Sequence, residues 1–406
     1  MSVVIAGGGP AGMVLGLLLA RGGIEVTVLE KHGDFLRDFR GDTVHPTTLD
    51  LLDELGLGDE FAKLPARLLD RVELPVGGRM YTIAELDHLP GKHKHIAMVP
   101  QWDLLDLLAR AAQQEPTFRL RMSTDAVGLL RDGDRVAGVT YRESDGTTGE
   151  IRADLTVACD GRVSALRAAA GLPYREWPCP MDVWWFRVPR VEDDPASAVW
   201  VVGSSRVALM FDRGEYWQCA TLIGKGRDAE LRRAPVESIM QSMADVVPWL
   251  SDRAAALRSW DDVKLLDVRV GRLERWYLDG LLCIGDAAHA MSPVGGVGIN
   301  LAIQDAVAAA RILGPRLQSG RVAPADLRAV QRRRIVPTAV TQRAQRIVHR
   351  LALEPALAGR ADLSDADGPP LVLRVVRRIP FVRSLVPYFI ARGVLPEHAP
   401  AFARRD

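Results

Sequence analysis

The sequence predicts an α/β protein: a Rossmann-type nucleotide-binding domain that carries an inserted mixed β-sheet and a helical segment at its C-terminus. Three observations predict it. Residues 1–30 read as strand, glycine turn, helix, strand and acidic stop. Two later apolar runs, residues 153–158 and 281–284, each lead into an acid and a glycine side by side, Asp160-Gly161 and Gly285-Asp286. Six of the nine tryptophans fall between residues 178 and 262, which marks a layer of different composition.

The opening unit has a mechanical reason for each glycine. A short apolar strand, residues 2–6, feeds into Gly7, Gly9 and Gly12, a GxGxxG pattern. Gly7 permits the tight turn, Gly9 lets the main chain approach a pyrophosphate, and Gly12 lets the next helix lie close to the sheet. That helix, residues 13–21, offers its free N–H groups and the positive end of its dipole to the two phosphates. A second strand, residues 26–29, ends in Glu30, whose carboxylate suits the hydroxyls of a ribose, with Lys31 beside it. Strand, helix and acid at their proper distances make this a dinucleotide cradle. FAD and NAD share the adenosine diphosphate half that it reads, so the unit alone leaves both open.

At 406 residues the chain is long enough for two domains with sizeable cores. A net charge of +1, with both signs interspersed, gives no electrostatic case for nucleic acid. Cys159, Cys179, Cys219 and Cys283 lack metal-ligand spacing and read as reduced core residues. The glycine turn interrupts the first apolar stretch, which argues against a signal peptide. No run reaches the roughly twenty apolar residues of a membrane span. A soluble, cytoplasmic protein is expected.

In chain order, a polar loop containing Arg40 precedes a helix over residues 46–55, which opens on Pro46 after His45. Short strands follow within residues 68–96, then a strongly periodic helix over residues 102–112, with Gln101 just ahead of it. The alternating runs 126–130 and 136–142 flank Asp132-Gly133-Asp134, a hairpin signal. Strand-like runs 182–188, 198–202, 207–211 and 216–223 carry Trp184, Phe186, Trp200, Met210 and Trp217. A curved sheet with one aromatic face is expected, serving as core packing, as an apolar substrate wall, or as both. After residues 281–284 come Pro293, Gly295, Gly296, Gly298 and Asn300, a second helix start stripped of side chains, leading into a helix over residues 301–313. The basic, apolar stretch 371–390 is broken by Pro380 and Pro387, so membrane contact is not expected.

Three signatures then stand together: Gly7-x-Gly9-x-x-Gly12 with Glu30, the run Cys159-Asp160-Gly161-Arg162-Val163-Ser164-Ala165-Leu166-Arg167, and Gly285-Asp286 with the 293–300 loop. Over residues 1 to about 313 they resemble the p-hydroxybenzoate hydroxylase-like, group A flavoprotein monooxygenases. The resemblance implies a GR2-like FAD-binding domain from residues 1–70, 98–177 and 263–313, a substrate-binding sheet from 71–97 and 178–262, and a helical region over 314–406. It implies that Gly7, Gly9, Ala11 and Gly12 hold the FAD pyrophosphate and Glu30 the adenosine ribose. Arg40 matches an arginine near the flavin, Gln101 an FAD contact and Val127 a backbone contact to adenine. Asp160, Gly161, Ser164 and Arg167 match a dual FAD and nicotinamide motif. Asp286 would bind the second ribose, and Gly298, Ile299 and Asn300 would lie along the isoalloxazine with their N–H groups.

The implied reaction uses NADPH or NADH as a transient co-substrate, since no second GxGxxG follows. Reduced FAD and O₂ would give a C4a-hydroperoxide that passes one oxygen atom to an aromatic or polyketide-like small molecule. Hydroxylation, epoxidation and Baeyer–Villiger insertion all start there. No residue declares itself as acid or base; Arg40, His45 and Pro293 are the nearest candidates, and His289 is a further histidine close to the flavin loops. Two other readings share the fold: a dehydrogenase or reductase, and a flavin-binding protein without turnover. Halogenation fits less well. The segment from Trp184 to Pro189 resembles the WxWxIP of flavin halogenases only with Phe186 and Val188 substituted, and neither Lys31 nor Lys63 stands where their lysine would. A monomer or homodimer is expected.

Overall fold

Runs of apolar residues bury both faces of a strand, and three such runs, residues 2–6, 155–158 and 281–283, form the middle of a parallel sheet completed by two strands that are more polar. The computed structural model describes residues 1–36, 43–76, 79–194, 199–203, 206–245, 247–360 and 387–405. Its central sheet runs in the spatial order Phe118–Arg121, Glu25–Leu29, Ser2–Ala6, Leu155–Ala158 and Leu281–Cys283, with Tyr277–Leu278 antiparallel at one edge. Val3 pairs with Val26 on one side and Leu155 on the other. The chain therefore reverses its direction of travel across the sheet at the first strand, and a crevice opens at the carboxyl ends of the strands there.

Helix Pro10–Arg21 is buried at every residue except its two ends. It is held between the sheet and helix Gly298–Gln318, and Gly16 leaves room for Phe118, whose ring would stand 2.8 Å from an added Cβ. The second of these helices runs five residues beyond its expected end at residue 313 and takes Pro315 within it. Gly314 is a packing residue there: a Cβ on it would meet the Phe402 ring at 2.6 Å. Helix Val294–Gln318 is long and apolar enough to cross a membrane by composition, yet 67% of its most apolar window is buried, as befits a core helix. Helix Pro324–Val348 packs alongside it, and residues 399–403 return to the same core.

A meander of Thr124–Asp132, Arg135–Glu143 and Thr148–Arg152 stands apart from the main sheet, turning at the expected Asp132-Gly133-Asp134. The inserted sheet has the order Val199–Gly203, Arg206–Asp212, Tyr216–Gly224, Met181–Pro189 and Lys264–Leu266, antiparallel throughout. Helix Glu237–Ala244 and the turns of Pro248–Ala256 cover one of its faces. Arg40 and residues 371–386 lie outside the described residues.

Candidate functional site

The first glycine turn leaves no room for side chains. Gly7 has φ +103°, and a Cβ on it would stand 2.3 Å from the Cys159 carbonyl oxygen. A Cβ on Gly12 would stand 1.9 Å from the Gly7 carbonyl oxygen. Gly9 faces open space, with nothing within 4 Å of where its Cβ would be. Helix Pro10–Arg21 starts there with no side-chain cap, so its first N–H groups point into that space. At the rim, the buried Glu30 accepts hydrogen bonds from Gly8 N–H at 2.9 Å and His32 N–H at 3.1 Å, and Lys31 is exposed beside it.

Two further loops meet this turn. Asp160 accepts from Leu166 N–H through Oδ2 (3.1 Å), and its other oxygen is buried without a partner. Burial raises its pKa, outweighing the hydrogen bonds from Ser164 and Leu166 and the charge of Arg167. Gly161 follows at φ +86°, and Ser164 caps helix Ala165–Ala170. Arg167 is a strut: it donates to the carbonyls of Ala287 (2.9 Å) and Arg162 (2.6 Å) and lies over the Tyr174 ring at 4.4 Å. Asp286 pairs with Arg162 Nε at 3.1 Å.

Gly285 decides how these parts relate. At φ +59°, a Cβ on it would stand 3.2 Å from the Ala302 Cβ and 3.4 Å from the Ala11 Cβ. The first turns of the two long helices therefore sit side by side, with Gly285 between them. Its N–H donates to the buried Asp305 (3.1 Å), which also receives His289 Nε2 at 2.5 Å and Arg334 Nε at 2.9 Å. Burial alone would raise the Asp305 pKa, but His289 and Arg334 hold it below the usual carboxylate range.

The 293–300 loop turns at Gly295 and Gly296, φ +83° and +62°, after the Pro293 carbonyl takes the Gly296 N–H (3.0 Å). Helix Gly298–Gln318 then begins without a side-chain cap, its first turn closed by Leu301 N–H on the Val297 carbonyl (3.0 Å). The Asn300 side chain braces the loop from behind: Oδ1 accepts from His45 N–H (3.1 Å) and Thr48 Oγ1 (2.7 Å). Thr43 Oγ1 donates to the Gly296 carbonyl (2.7 Å). Gln101 begins helix Gln101–Gln113 and is partly buried. Val127 is the extra residue of a bulge, because Ala126 faces Tyr141 and Gly128 faces Thr140, and a bulge frees backbone groups from the ladder.

The FAD binding domain family matches residues 1–344. This chain belongs to that family. It is an FAD-dependent monooxygenase of the p-hydroxybenzoate hydroxylase-like group. The chain is 34% identical over 391 residues to 6-methylpretetramide 4-monooxygenase of Streptomyces rimosus, covering 95% of this chain and 90% of that one. It is 27% identical to 3-demethoxyubiquinol 3-hydroxylase of Escherichia coli K12, over 75% of this chain and 77% of that one. Among solved structures it resembles the anhydrotetracycline hydroxylase OxyS of Streptomyces rimosus, with TM-score 0.74 and 24% identity over 96% of this chain and 76% of that one. A flavin-dependent brominase has TM-score 0.78 at 17% identity over 96% and 94%, which speaks for the fold and not for the reaction.

The residues of this flavoprotein fit its cofactor. Two uncapped helix starts stand on either side of Gly285, the space beyond Gly9 is open, and Asp160 keeps an unpartnered oxygen. These features suit one long ligand with a phosphate pair in its middle.

The aromatic residues of the inserted sheet divide between its two faces. Trp184, Phe186, Met210 and Trp217 pack with Ile239, Met240, Met243 and Leu250 beneath the covering helices. Trp217 Nε1 donates to Asp194 (2.7 Å) and Trp184 Nε1 to Asp228 (2.6 Å), so both indoles are fully committed to this outer core. These four are core packing on the covered face, and alternation along Met181–Pro189 sends Met181, Val183 and Trp185 to the opposite face. That face groups Met181, Val183, Val207, Leu222, Trp185 and Leu209 with Val294 of the 293–300 loop. Trp185 and Phe211 stack there at 6.5 Å and 21°. Trp200 lies in Val199–Gly203, paired with Leu209, and its side chain is outside the described residues. The missing signal was the amphipathic helix at 237–244, whose Ile239, Met240 and Met243 need a sheet face of their own to cover.

Proposed function

We propose that this monooxygenase inserts one oxygen atom into a flat, polycyclic, phenolic or polyketide-like molecule, using NADPH or NADH and O₂. The observation that carries the reading is the meeting of Val294, on the flavin loop, with the sheet face bearing Trp185 and Leu209, beside the near-parallel Trp185 and Phe211 rings. The 34% identity to a monooxygenase named for a pretetramide, over nearly the whole of both chains, supports the substrate class.

In this reading Gly7, Gly9, Ala11 and Gly12 receive the pyrophosphate and Glu30 the adenosine ribose. Val127 gives its freed backbone to the adenine, with Lys31 and Gln101 along the same half. Asp160, Gly161 and Arg167 carry the middle of the cofactor, and Gly285 and Asp286 its ribityl chain. Pro293, Gly296, Gly298, Ile299 and Asn300 line the ring, and Arg40 matches the family's arginine near the flavin. Bound there, FAD supplies electron transfer from the nicotinamide and activation of O₂. The protein supplies the positive end of helix Gly298–Gln318, whose unbonded N–H groups stabilise negative charge on the ring, and apolar walls that exclude water.

Neither nearby histidine is placed to take a phenol proton. His45 is buried with Nδ1 on the Ile390 carbonyl (2.7 Å), and His289 is committed to Asp305. Halogenation lacks its amine: Lys63 is 68% exposed and paired with Glu60, far from a role in a closed chamber. The test is to screen polycyclic phenols and hydroxyquinones for acceleration of NAD(P)H-dependent flavin bleaching, with mass analysis of any hit. Product heavier by one oxygen is expected. Hydride transfer without mass gain would replace this reading with the dehydrogenase.

A further inference from the structure

The flavin loop is braced by residues 43–48, and those residues are pinned in turn by the C-terminal segment. The pin is His45, which is 1% exposed. Its Nδ1 lies 2.7 Å from the Ile390 carbonyl, which can only accept, so Nδ1 carries the ring proton and Nε2 keeps a lone pair. Burial pushes the ring's pKa down to about 4, against the pull of the Ile390 and Gly296 carbonyls, so the imidazole is neutral near pH 7. Nε2 has no partner.

His45 borders a cavity of about 30 Å³, lined also by Asn300, Gln304 and residues 389–394. Two donors on that lining are buried and unpartnered as well. Gln304 gives its Oε1 to Glu397 N–H and leaves Nε2 free. Arg392 places its amino groups on Asp50 (2.8 Å) and the Pro90 carbonyl (2.5 Å) and leaves Nε free. Three residues that carry one bare acceptor and two bare donors thus line a space larger than the roughly 10–15 Å³ a water needs. A water has the complementary set: it can accept twice and donate twice.

We propose that this cavity binds one internal water molecule, which donates to His45 Nε2 and accepts from Gln304 and Arg392, and that His45 is thereby a positioning residue for the flavin loop. The water joins three elements: the start of helix Pro46–Glu54, the first turns of helix Gly298–Gln318, and residues 389–394. Since the His45 N–H holds Asn300, the same residue ties the C-terminal segment to the helix start beside the flavin. The positioning role rests on the reading that residues 293–300 line the ring; the water site does not.

The two parts are tested separately on the FAD-loaded full chain. For the water site, a high-resolution crystal structure should show a peak within hydrogen-bond reach of His45 Nε2 and Gln304 Nε2. In ¹⁵N-histidine spectra, His45 should be the Nδ1–H tautomer between pH 6 and 8, and Gln304→Met should move its Nε2 resonance toward that of an unbonded lone pair. A dry cavity, an Nε2–H tautomer, or a resonance indifferent to Gln304→Met overturns the site. For positioning, Gln304→Met and His45→Phe should each weaken FAD binding by about fivefold, the equivalent of one internal hydrogen bond, and shift the flavin's visible bands. If His45→Phe fails to fold, Gln304→Met alone decides. Unchanged affinity and bands in a variant that has lost the water overturn the positioning role and leave the water standing.

Discussion

At the first glycine turn, one added methyl meets backbone: a Cβ on Gly12 would stand 1.9 Å from the Gly7 carbonyl oxygen, and one on Gly7 would stand 2.3 Å from that of Cys159. In the inserted sheet the comparably buried Trp217 meets side chains, its nearest ring neighbour being Trp249 at 5.4 Å. Backbone cannot yield without moving a strand, whereas side chains can repack. The cradle is therefore fixed by a few residues whose identity is dictated locally. The sheet is fixed by how its side chains are shared between two faces, and no single residue dictates that.

The largest test of this contrast is Gly12→Val. With no room beside Gly7, the turn must open, and the purified protein is expected to lose at least 100-fold in FAD affinity, on the scale of the ~3 kcal/mol or more that forced overpacking costs. Flavin content by absorbance checks it, and a fully yellow variant would show that the turn is more pliant than its contacts. Trp217→Ala is the counterpart in the sheet. It should cost about 3–5 kcal/mol of stability in urea unfolding, from cavity formation and the loss of one of the hydrogen bonds to Asp194, which keeps Arg253, while the folded fraction keeps its FAD affinity. Loss of FAD together with stability would mean that the two regions unfold as one.

The same contrast explains what the sequence disclosed. Gly7, Gly12, Asp160, Gly285 and Gly296 were legible because each answers a local demand of backbone geometry or charge, and the strands and helices around them follow from short-range pattern. The orientation of the tryptophan sheet was not legible from residue type. Trp184 and Trp185 are adjacent and identical, and only the position of the covering helix Glu237–Ala244 decides which of them faces the 293–300 loop. Asn300 was legible as a backbone donor, but its side-chain partners His45 and Thr48 lie 255 and 252 residues away, beyond any local signal. Gly314 carries no local signal and is the seat of Phe402, another long-range demand.

His45 gives an acid test of the braced loop. Its folded pKa is about 4 against an ordinary 6.5, so between those values the unfolded chain takes up a proton that the folded chain refuses. Stability is therefore full above about pH 6.5 and falls on acidification through the window down to about 4, by about 3 kcal/mol in all. Asp160 works in the opposite direction, since its raised pKa lets the folded state bind a proton first. His349, also lowered by burial, adds to the same slope as His45. Comparing wild type with His45→Gln in urea at pH 7.5, 6 and 5 isolates the one residue: the variant should lose the larger part of the slope. Parallel curves would place the proton elsewhere.

The smallest expected effect is the sharpest, because it sets two neighbours on one strand against each other. Trp184→Phe removes an indole N–H that donates to Asp228 at 2.6 Å, leaving that carboxylate with Arg232 alone, and should cost about 1–3 kcal/mol. Trp185→Phe removes an indole N–H that is buried without a partner, so relief of its desolvation offsets the lost ring volume and the stability change should stay within about 1 kcal/mol. If the Trp185 face receives the substrate, Trp185→Phe nonetheless raises KM severalfold for a hit from the phenol screen, with the NAD(P)H-linked bleaching in its absence unchanged, and Trp184→Phe leaves KM alone. The reverse pattern would put the substrate wall back on the outer face, where the covering helices would have to move aside to admit it.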